Sequence, residues 1–251
     1  MFKRENILGV QVSAINMKDA IRFIQYCIEN DKRRYVCVTP AHGIMETLED
    51  ERLRDIFNHS GLTTPDGMSI VWLLKFKGHK KVSRVYGPDL LLAACKNGCN
   101  FQWRHFFYGG KPGVAEELIR KLQELFPGII IAGSYSPPFR DLNGNEENEI
   151  AEMINNSKAE IVWVGISTPR QERWMAKMRN SLKAPVLIGI GAAFDFISGE
   201  KPQAPLWVQR NGLEWLFRLI HEPGRMWKRY IRYPRFVVLA LLQHIGMIHY
   251  D

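Results

Sequence analysis

The chain has 251 residues and a formal net charge of +8 at pH 7, a length that suits one α/β domain with an addition, or two small domains. Hydrophobic residues make up 46% and charged residues 24%, which excludes a disordered tail. Four irregularly spaced cysteines without a C-x-x-C pair exclude a disulfide framework and disfavour structural zinc. The N-terminus lacks a signal-peptide core and no apolar run could span a bilayer, so we expect a cytoplasmic protein.

Short apolar strands alternate with helical stretches from the N-terminus onward. The predicted strands are Ile7–Val12, Tyr35–Val38, Leu62–Thr64, His105–Tyr108, Ile129–Ala132, Ile161–Val164 and Val186–Ile190. The predicted helices between them are Met17–Glu29, Ile44–Phe57, Met68–Phe76, Asp89–Lys96, Val114–Phe126, Glu146–Asn155 and Pro169–Ser181. This alternation predicts βαβ units and an α/β fold, a Rossmann-like and mostly parallel sheet with flanking helices.

The pattern changes near Ser198, after which we expect only helices: Ala204–His221, Gly224–Arg232 and Arg235–Met247. We therefore predict an α/β catalytic domain over 1–198 and a C-terminal helical appendage over 199–251. Residues 201–251 contain eight basic and three acidic residues, and the basic residues are interspersed with aromatic ones. This composition favours a membrane surface or another polyanion as partner, and the alternative is a solvated helical face.

Polar or glycine-rich segments follow five of the predicted strands. Parallel sheets bind ligands at the C-terminal ends of their strands. We therefore expect these segments to border one crevice: 39–43, 64–67, 109–113, 165–172 and 191–195.

Two of these segments have features of an anion-binding loop. Gly109, Gly110 and Lys111 precede a predicted helix, and such small residues expose backbone amides near a helix N-terminus. The segment ending at Gly191 begins like a dinucleotide-binding G-x-G-x-x-G motif, but Phe194 occupies the third glycine position. Tight strand-to-helix turns remain the alternative interpretation of both loops.

Asp66 is the candidate general base, since it lies on a stiff loop between Pro65 and Gly67, directly after an apolar strand. The alternative is that Asp66 caps the helix that follows, a common use of Asp. His42 is a second candidate base, or else a polar loop residue.

The sequence contains neither a D-x-D motif nor a His/Asp/Glu cluster with metal-ligand spacing. We therefore expect no metal and no cofactor, and a bound anion neutralised by arginine and lysine instead.

Eight segments of the chain stand out together and in order: 39–40, 64–67, 84–90, 107–113, 136–139, 169–172, 191–195 and 209–215. From about residue 7 to residue 240, they resemble the WecG/TagA/CpsF glycosyltransferase family. The resemblance implies an inverting, metal-independent enzyme that moves a sugar from a UDP-sugar to a polyprenyl-diphosphate-linked acceptor. Such enzymes build bacterial cell-surface polysaccharides, including teichoic acid, common antigen, capsule and exopolysaccharide, at the inner face of the plasma membrane.

The resemblance also implies roles for individual residues. It makes Asp66 the base and places Arg84 and Gln171, together with Thr39, in the donor pocket. Combined with the residues above, it gives a catalytic set of Asp66, Thr39 and His42. The expected donor-binding residues are Arg84, Gly109, Gly110, Lys111, Gln171 and Gly191. The expected ligands of the acceptor diphosphate are Arg218, Arg225, Lys228 and Arg229.

One departure from the family pattern concerns the donor sugar. Members that transfer N-acetylmannosamine usually carry Asn after Thr-Pro, where this chain has Ala41. Alanine cannot form the hydrogen bonds of an amide. The donor therefore stays open between a hexose such as glucose and an N-acetylmannosamine-type sugar.

Two rival functions and the oligomeric state are also left open. A nucleotide-dependent oxidoreductase would rest on 189–194, and a nucleic-acid-binding protein would rest on the basic appendage. We expect no nucleic acid as partner, since the chain has no recognised module for one. Homo-oligomer formation is not decided by the sequence.

Overall fold

The computed structural model describes residues 2–250, apart from the side chains of Arg225 and Lys228. The chain forms two compact units, each made of separate stretches. The first unit comprises Met1–Met17, Val38–Tyr86 and Pro202–Asp251, and the second comprises Lys18–Cys37 and Gly87–Lys201.

The strands and helices alternate along most of the chain, as predicted. The strands are β1 (Arg4–Ile7), β2 (Val10–Ser13), β3 (Arg34–Thr39), β4 (Leu62–Pro65), β5 (Arg104–Gly109), β6 (Ile130–Tyr135), β7 (Ile161–Gly165) and β8 (Val186–Gly189). The helices are α1 (Met17–Glu29), α2 (Ala41–Thr47), α3 (Glu51–His59), α4 (Met68–Phe76), α5 (Gly87–Phe101), α6 (Val114–Leu125), α7 (Gly144–Asn156), α8 (Arg170–Met178), α9 (Ala193–Ser198), α10 (Leu206–Arg210), α11 (Glu214–His221), α12 (Pro223–Tyr230) and α13 (Tyr233–His244).

Six of these strands form one sheet in the order β4-β3-β8-β7-β5-β6. The pairs β3–β8, β8–β7, β7–β5 and β5–β6 are parallel. The strands β5, β7 and β8 are almost wholly buried and rich in apolar residues, which is the composition of a sheet covered on both faces. The predicted α/β class with a mostly parallel sheet is confirmed.

The first predicted strand is wrong in one respect: Ile7–Val12 is not continuous. Leu8 and Gly9 both have positive φ angles, of 52° and 88°, and they form a two-residue turn between β1 and β2, whose residues pair in antiparallel register. Two positive φ values are the signature of a hairpin turn that matches strand twist.

Two long predicted helices are each divided. The stretch 44–57 divides between α2 and α3 because the Asp50 carboxylate accepts the Leu53 N–H at 2.9 Å and begins a new helix. The stretch 204–221 divides between α10 and α11 at Gly212, whose φ is +71°. A residue in this left-handed conformation cannot continue a helix.

The appendage packs into the core of the first unit. Phe236 is fully buried, the Leu8 N–H donates to the Gln243 side chain at 2.9 Å, and Asn6 donates to the Tyr250 carbonyl at 2.7 Å. The compact units combine distant parts of the chain and do not follow the predicted boundary at residue 198. A catalytic role for 1–198 and a separate role for 199–251 remain predictions. In the described part of the chain, no helix has both the length and the apolar character needed to cross a membrane.

Candidate active site

Two hydrogen bonds in the first unit set the position of the Arg84–Tyr86 segment beside the end of β4. The Val85 N–H donates to the Pro65 carbonyl at 2.9 Å, and the Thr64 hydroxyl donates to the Val85 carbonyl at 3.3 Å. Val85 is fully buried. Arg84 and Tyr86 lie against each other, and the guanidinium is 3.9 Å from the centre of the Tyr86 ring.

Arg84 contacts Asp66 in two ways. Its Nε donates to the Asp66 carbonyl oxygen at 2.5 Å, and its Nη2 lies 3.7 Å from Asp66 Oδ1. The alternative role of Asp66 as the N-cap of α4 is wrong, because Gly67 occupies the N-cap position. The Asp66 carboxylate therefore lies beside a cation, one position before the N-cap of α4.

The charge of Arg84 is shared with a second carboxylate. Its Nη2 donates to Glu214 Oε2 at 2.5 Å, and its Nη1 donates to the Gln209 side-chain oxygen at 3.4 Å. Burial alone lowers the pKa of Arg84, but the charges of Asp66 and Glu214 outweigh burial and raise that pKa. Arg84 is a permanent cation between two carboxylates.

Tyr86 completes this group of side chains. Its hydroxyl donates to Glu214 Oε1 at 3.0 Å. Burial, and then the negative charge of Glu214, raise the pKa of the Tyr86 phenol, so it remains a hydrogen-bond donor at neutral pH. We call Asp66, Arg84, Tyr86 and Glu214 the charged cluster.

The other two predicted catalytic residues lie at the end of β3 and the start of α2. Thr39 is fully buried, and its carbonyl accepts the Asp66 N–H at 3.3 Å, so the structure brings Thr39 and Asp66 together. His42 lies in the first turn of α2, and its Nε2 is buried. Ala41, at the position of the expected family Asn, is also buried.

In the second unit, the Gly109–Gly113 loop contacts the end of β7. The φ of Gly109 is +134°, and a Cβ there would lie 2.5 Å from the Gly165 carbonyl oxygen. The Gly110 N–H donates to that same carbonyl at 3.2 Å, so this amide is already bonded to the end of β7. Lys111 is exposed and forms an ion pair with Glu200 at 3.1 Å.

Gln171 and Gly191, both predicted to bind the donor, are joined by a hydrogen bond. The Gly191 N–H donates to Gln171 Oε1 at 2.9 Å, while Gln171 Nε2 donates to Glu172 Oε1 at 3.0 Å and to the Thr168 hydroxyl at 3.3 Å. Gln171 therefore connects the loop after β7 with the loop after β8 through its side-chain amide.

Two of the four predicted acceptor ligands can be located. Arg218 in α11 and Arg229 in α12 are half-buried, and the charges of both act on the phenol of Tyr230. Burial raises the pKa of Tyr230, Arg218 and Arg229 lower it, and Glu214 and Asp66 raise it. The phenol of Tyr230 is thus influenced both by these two arginines and by two carboxylates of the charged cluster. The side chains of Arg225 and Lys228 lie outside the described residues.

Glu214 and Tyr86 are functional candidates that were not predicted from the sequence. Both stand in quoted segments, 209–215 and 84–90, but neither received a role. A signal was available for Glu214, since it is one of three acids among eleven charged residues in 201–251. The sequence contains no comparable signal for Tyr86.

The chain is similar in sequence to two named bacterial proteins and to one protein family. A protein of Bacillus spizizenii named N-acetylglucosaminyldiphosphoundecaprenol N-acetyl-beta-D-mannosaminyltransferase is 32% identical over 219 residues, which cover 87% of this chain and 82% of the relative. A Bacillus subtilis protein with the same name is 29% identical over 194 residues, which cover 77% of this chain and 73% of the relative. The model of the family described as "Glycosyl transferase WecG/TagA/CpsF family" matches residues 5–249 of the chain. The chain belongs to this family of glycosyltransferases.

Proposed function

We propose that this enzyme transfers a sugar from a UDP-sugar to a polyprenyl-diphosphate-linked sugar during synthesis of a bacterial cell-surface polysaccharide. The Asp66 carboxylate, which lies beside Arg84 directly after β4, is the observation on which the proposal rests. Both named relatives act on N-acetylglucosaminyldiphosphoundecaprenol, which supports the lipid-linked acceptor.

In the proposed reaction, an acceptor hydroxyl oxygen attacks the anomeric carbon from the face opposite UDP. The bond from that carbon to the UDP oxygen breaks as the new glycosidic bond forms, which inverts the anomeric centre. Asp66 accepts the hydroxyl proton. Gln171, Gly191 and the loop 109–111 are the proposed donor-binding groups, and Arg218 and Arg229 are proposed to bind the acceptor diphosphate.

The sugar is the part of the proposal that needs a direct test. The relatives' names favour N-acetylmannosamine, whereas Ala41 favours a different hexose such as glucose. The full chain is incubated with each of a panel of UDP-sugars and with an acceptor, N-acetylglucosaminyl diphosphate linked to a short polyprenyl chain. The release of UDP and the formation of the glycosylated product are measured. Transfer from one donor supports the proposal, and hydrolysis or no reaction with every donor refutes it.

We also propose that the appendage binds the membrane surface that holds the acceptor. Its exposed apolar side chains lie among basic residues and include Leu206, Trp207, Ile220, Trp227, Ile231, Leu241 and Ile245. Aromatic and apolar groups bury into the headgroup region, and each nearby cation adds about 1 kcal/mol with anionic lipids.

Vesicle co-sedimentation tests this membrane contact. We expect binding to vesicles with phosphatidylglycerol, weaker binding to pure phosphatidylcholine, and reduced binding of Trp227→Ser. Phe139→Ser is the matched control, because Phe139 is also exposed but lies in the second unit. Equal binding of both variants and the unmodified chain would show that the appendage is not the membrane contact.

A further inference from the structure

We propose that Glu214 is a positioning residue for sugar transfer, which holds Arg84 in place and limits its pairing with Asp66. The inference rests on the proposed function, because it requires Asp66 to act as the base. It assigns a role in the chemistry to the first residue of α11, in the appendage, far along the chain from the other members of the charged cluster.

The guanidinium of Arg84 has a different acceptor at each of its three nitrogen atoms. Nε donates to the Asp66 backbone, Nη1 to Gln209 and Nη2 to Glu214. Two of these three acceptors, Gln209 and Glu214, belong to the appendage. The orientation of Arg84 beside Asp66 therefore depends on the appendage.

Glu214 uses its two carboxylate oxygens for two different partners. Oε2 accepts from Arg84 at 2.5 Å and Oε1 accepts from the Tyr86 hydroxyl at 3.0 Å. Only 13% of the Glu214 side chain is exposed, so replacing these partners with water is costly. Arg84 and Tyr86 are themselves stacked, and the three side chains fix one another.

The distances show that Arg84 bonds more closely to Glu214 than to the carboxylate of Asp66. Arg84 Nη2 lies 2.5 Å from Glu214 Oε2 but 3.7 Å from Asp66 Oδ1. A carboxylate that receives two parallel N–H bonds from arginine is strongly stabilised in its ionised form and accepts a proton poorly. Because Glu214 takes the short bond, Arg84 orients Asp66 through its backbone and does not form a bidentate pair with its carboxylate.

The local sequence explains why a glutamate can reach this position. Gly212 has a φ of +71°, and a Cβ there would lie 2.9 Å from the Trp72 ring, so the turn before α11 requires glycine. The turn directs the first residue of α11 toward Arg84. An acidic residue in the first turn is also favoured by the positive end of the helix dipole.

The test measures steady-state kinetics of the full chain with the donor found in the UDP-sugar panel. We expect Glu214→Gln to lower kcat about ten- to a hundredfold, as a small misplacement of a catalytic group does, while the donor KM changes much less. Glu214→Asp should recover part of the loss, since it restores the charge. In an Arg84→Gln background, Glu214→Gln should have little further effect, because coupled residues are not additive.

Glu124→Gln is the matched control, because it removes an exposed Arg–Glu ion pair with Arg120 in α6 and should leave kcat unchanged. Wild-type kcat for Glu214→Gln, or the same loss with and without Arg84, would overturn the inference. If Glu214→Gln does not fold, Tyr86→Phe removes a single hydroxyl, and an unchanged kcat there is equally contrary. A wild-type chain that transfers no sugar refutes the proposed function instead.

Discussion

The two compact units use different means to build their candidate functional groups. In the first unit, the charged cluster is made of side chains from three separate stretches of the sequence, joined by ion pairs and hydrogen bonds. In the second unit, the loops after β5 and β8 contain glycines with positive φ angles, and a Cβ at Gly109 would lie against the Gly165 backbone. Charge dominates one region and backbone conformation dominates the other.

This difference predicts two kinds of response to substitution. A change of charge in the first unit should alter the chemistry while the fold persists, because its side chains are partly exposed and the backbone is held by other bonds. A change at Gly109 in the second unit should alter the fold first, because an added Cβ meets backbone atoms of Gly165 that cannot move away.

The largest expected effect is that of Asp66→Asn. The amide keeps the size of the side chain but cannot accept the acceptor's proton, so kcat should fall about 10²- to 10⁴-fold, the usual contribution of a general base. Steady-state assays and a melting curve measure the rate and the fold. Asp50→Asn is the control, because Asn caps α3 as well as Asp does. Near-normal turnover of folded Asp66→Asn would show that charge in the first unit does not serve the chemistry.

Next in size is the pH dependence of stability that His105 gives to the second unit. His105 is fully buried in β5, Trp163 Nε1 donates to its Nδ1 at 3.1 Å, and burial lowers the pKa of His105 to about 4. Between about pH 6.5 and 4 the unfolded chain binds a proton there that the folded chain does not. The free energy of unfolding should therefore decrease by about 3 kcal/mol as the pH falls through this window.

Urea unfolding at several pH values measures this dependence. His105→Gln retains a hydrogen-bond acceptor but does not titrate, so its stability should vary less between pH 6.5 and 4 than that of the unmodified chain. The same slope in both proteins would mean that other groups cause the acid sensitivity.

Gly109→Ala should produce an effect of similar or smaller size on stability. The added Cβ would lie 2.5 Å from the Gly165 carbonyl, at a φ of +134°, and we expect a loss of about 1–3 kcal/mol from strained backbone. Gly144→Ala is the control, because a Cβ there meets no atom within 4 Å. Denaturant unfolding compares the two variants, and equal stabilities would contradict a loop defined by its backbone.

The smallest expected effect is that of chelation. The described residues contain no group of three His, Cys, Asp or Glu side chains suited to a metal ion, and arginines lie at the charged cluster and in the appendage. We propose that cations of the chain neutralise the diphosphates, so EDTA should leave the transfer rate unchanged. Loss of activity with EDTA and its return with Mg²⁺ would refute a metal-independent reaction.

Deletion of 199–251 is a poor test of the appendage for a structural reason. Phe236 is fully buried in the first unit, and Gln209 and Glu214 contact Arg84. Removing the segment would expose core and change the charged cluster together. Point variants such as Trp227→Ser and Glu214→Gln separate membrane contact from positioning.

The features that were predicted correctly depend on short stretches of sequence, such as the periodicity of a strand or helix. The alternation of apolar strands and helices predicted the α/β class, since each element is defined by its own periodicity. Asp66 was identifiable because Pro65 and Gly67 flank it after a strand. The signals were weaker where backbone conformation decides: the turn at Leu8 and the break at Gly212 both depend on positive φ angles, which the sequence pattern did not reveal.

By itself, the sequence indicated the fold class through local periodicity, the candidate base through the residues that flank it, and the family through short segments that occur in order along the chain. Only the tertiary structure decided that Asp66 is not the N-cap residue of α4 and that Arg84 lies between two carboxylates. Arg84 and Glu214 are 130 positions apart, and no periodicity connects residues at that separation. Their pairing follows from the packing of the appendage into the first unit, since a mostly buried arginine and a mostly buried glutamate are stable only where the fold brings them together.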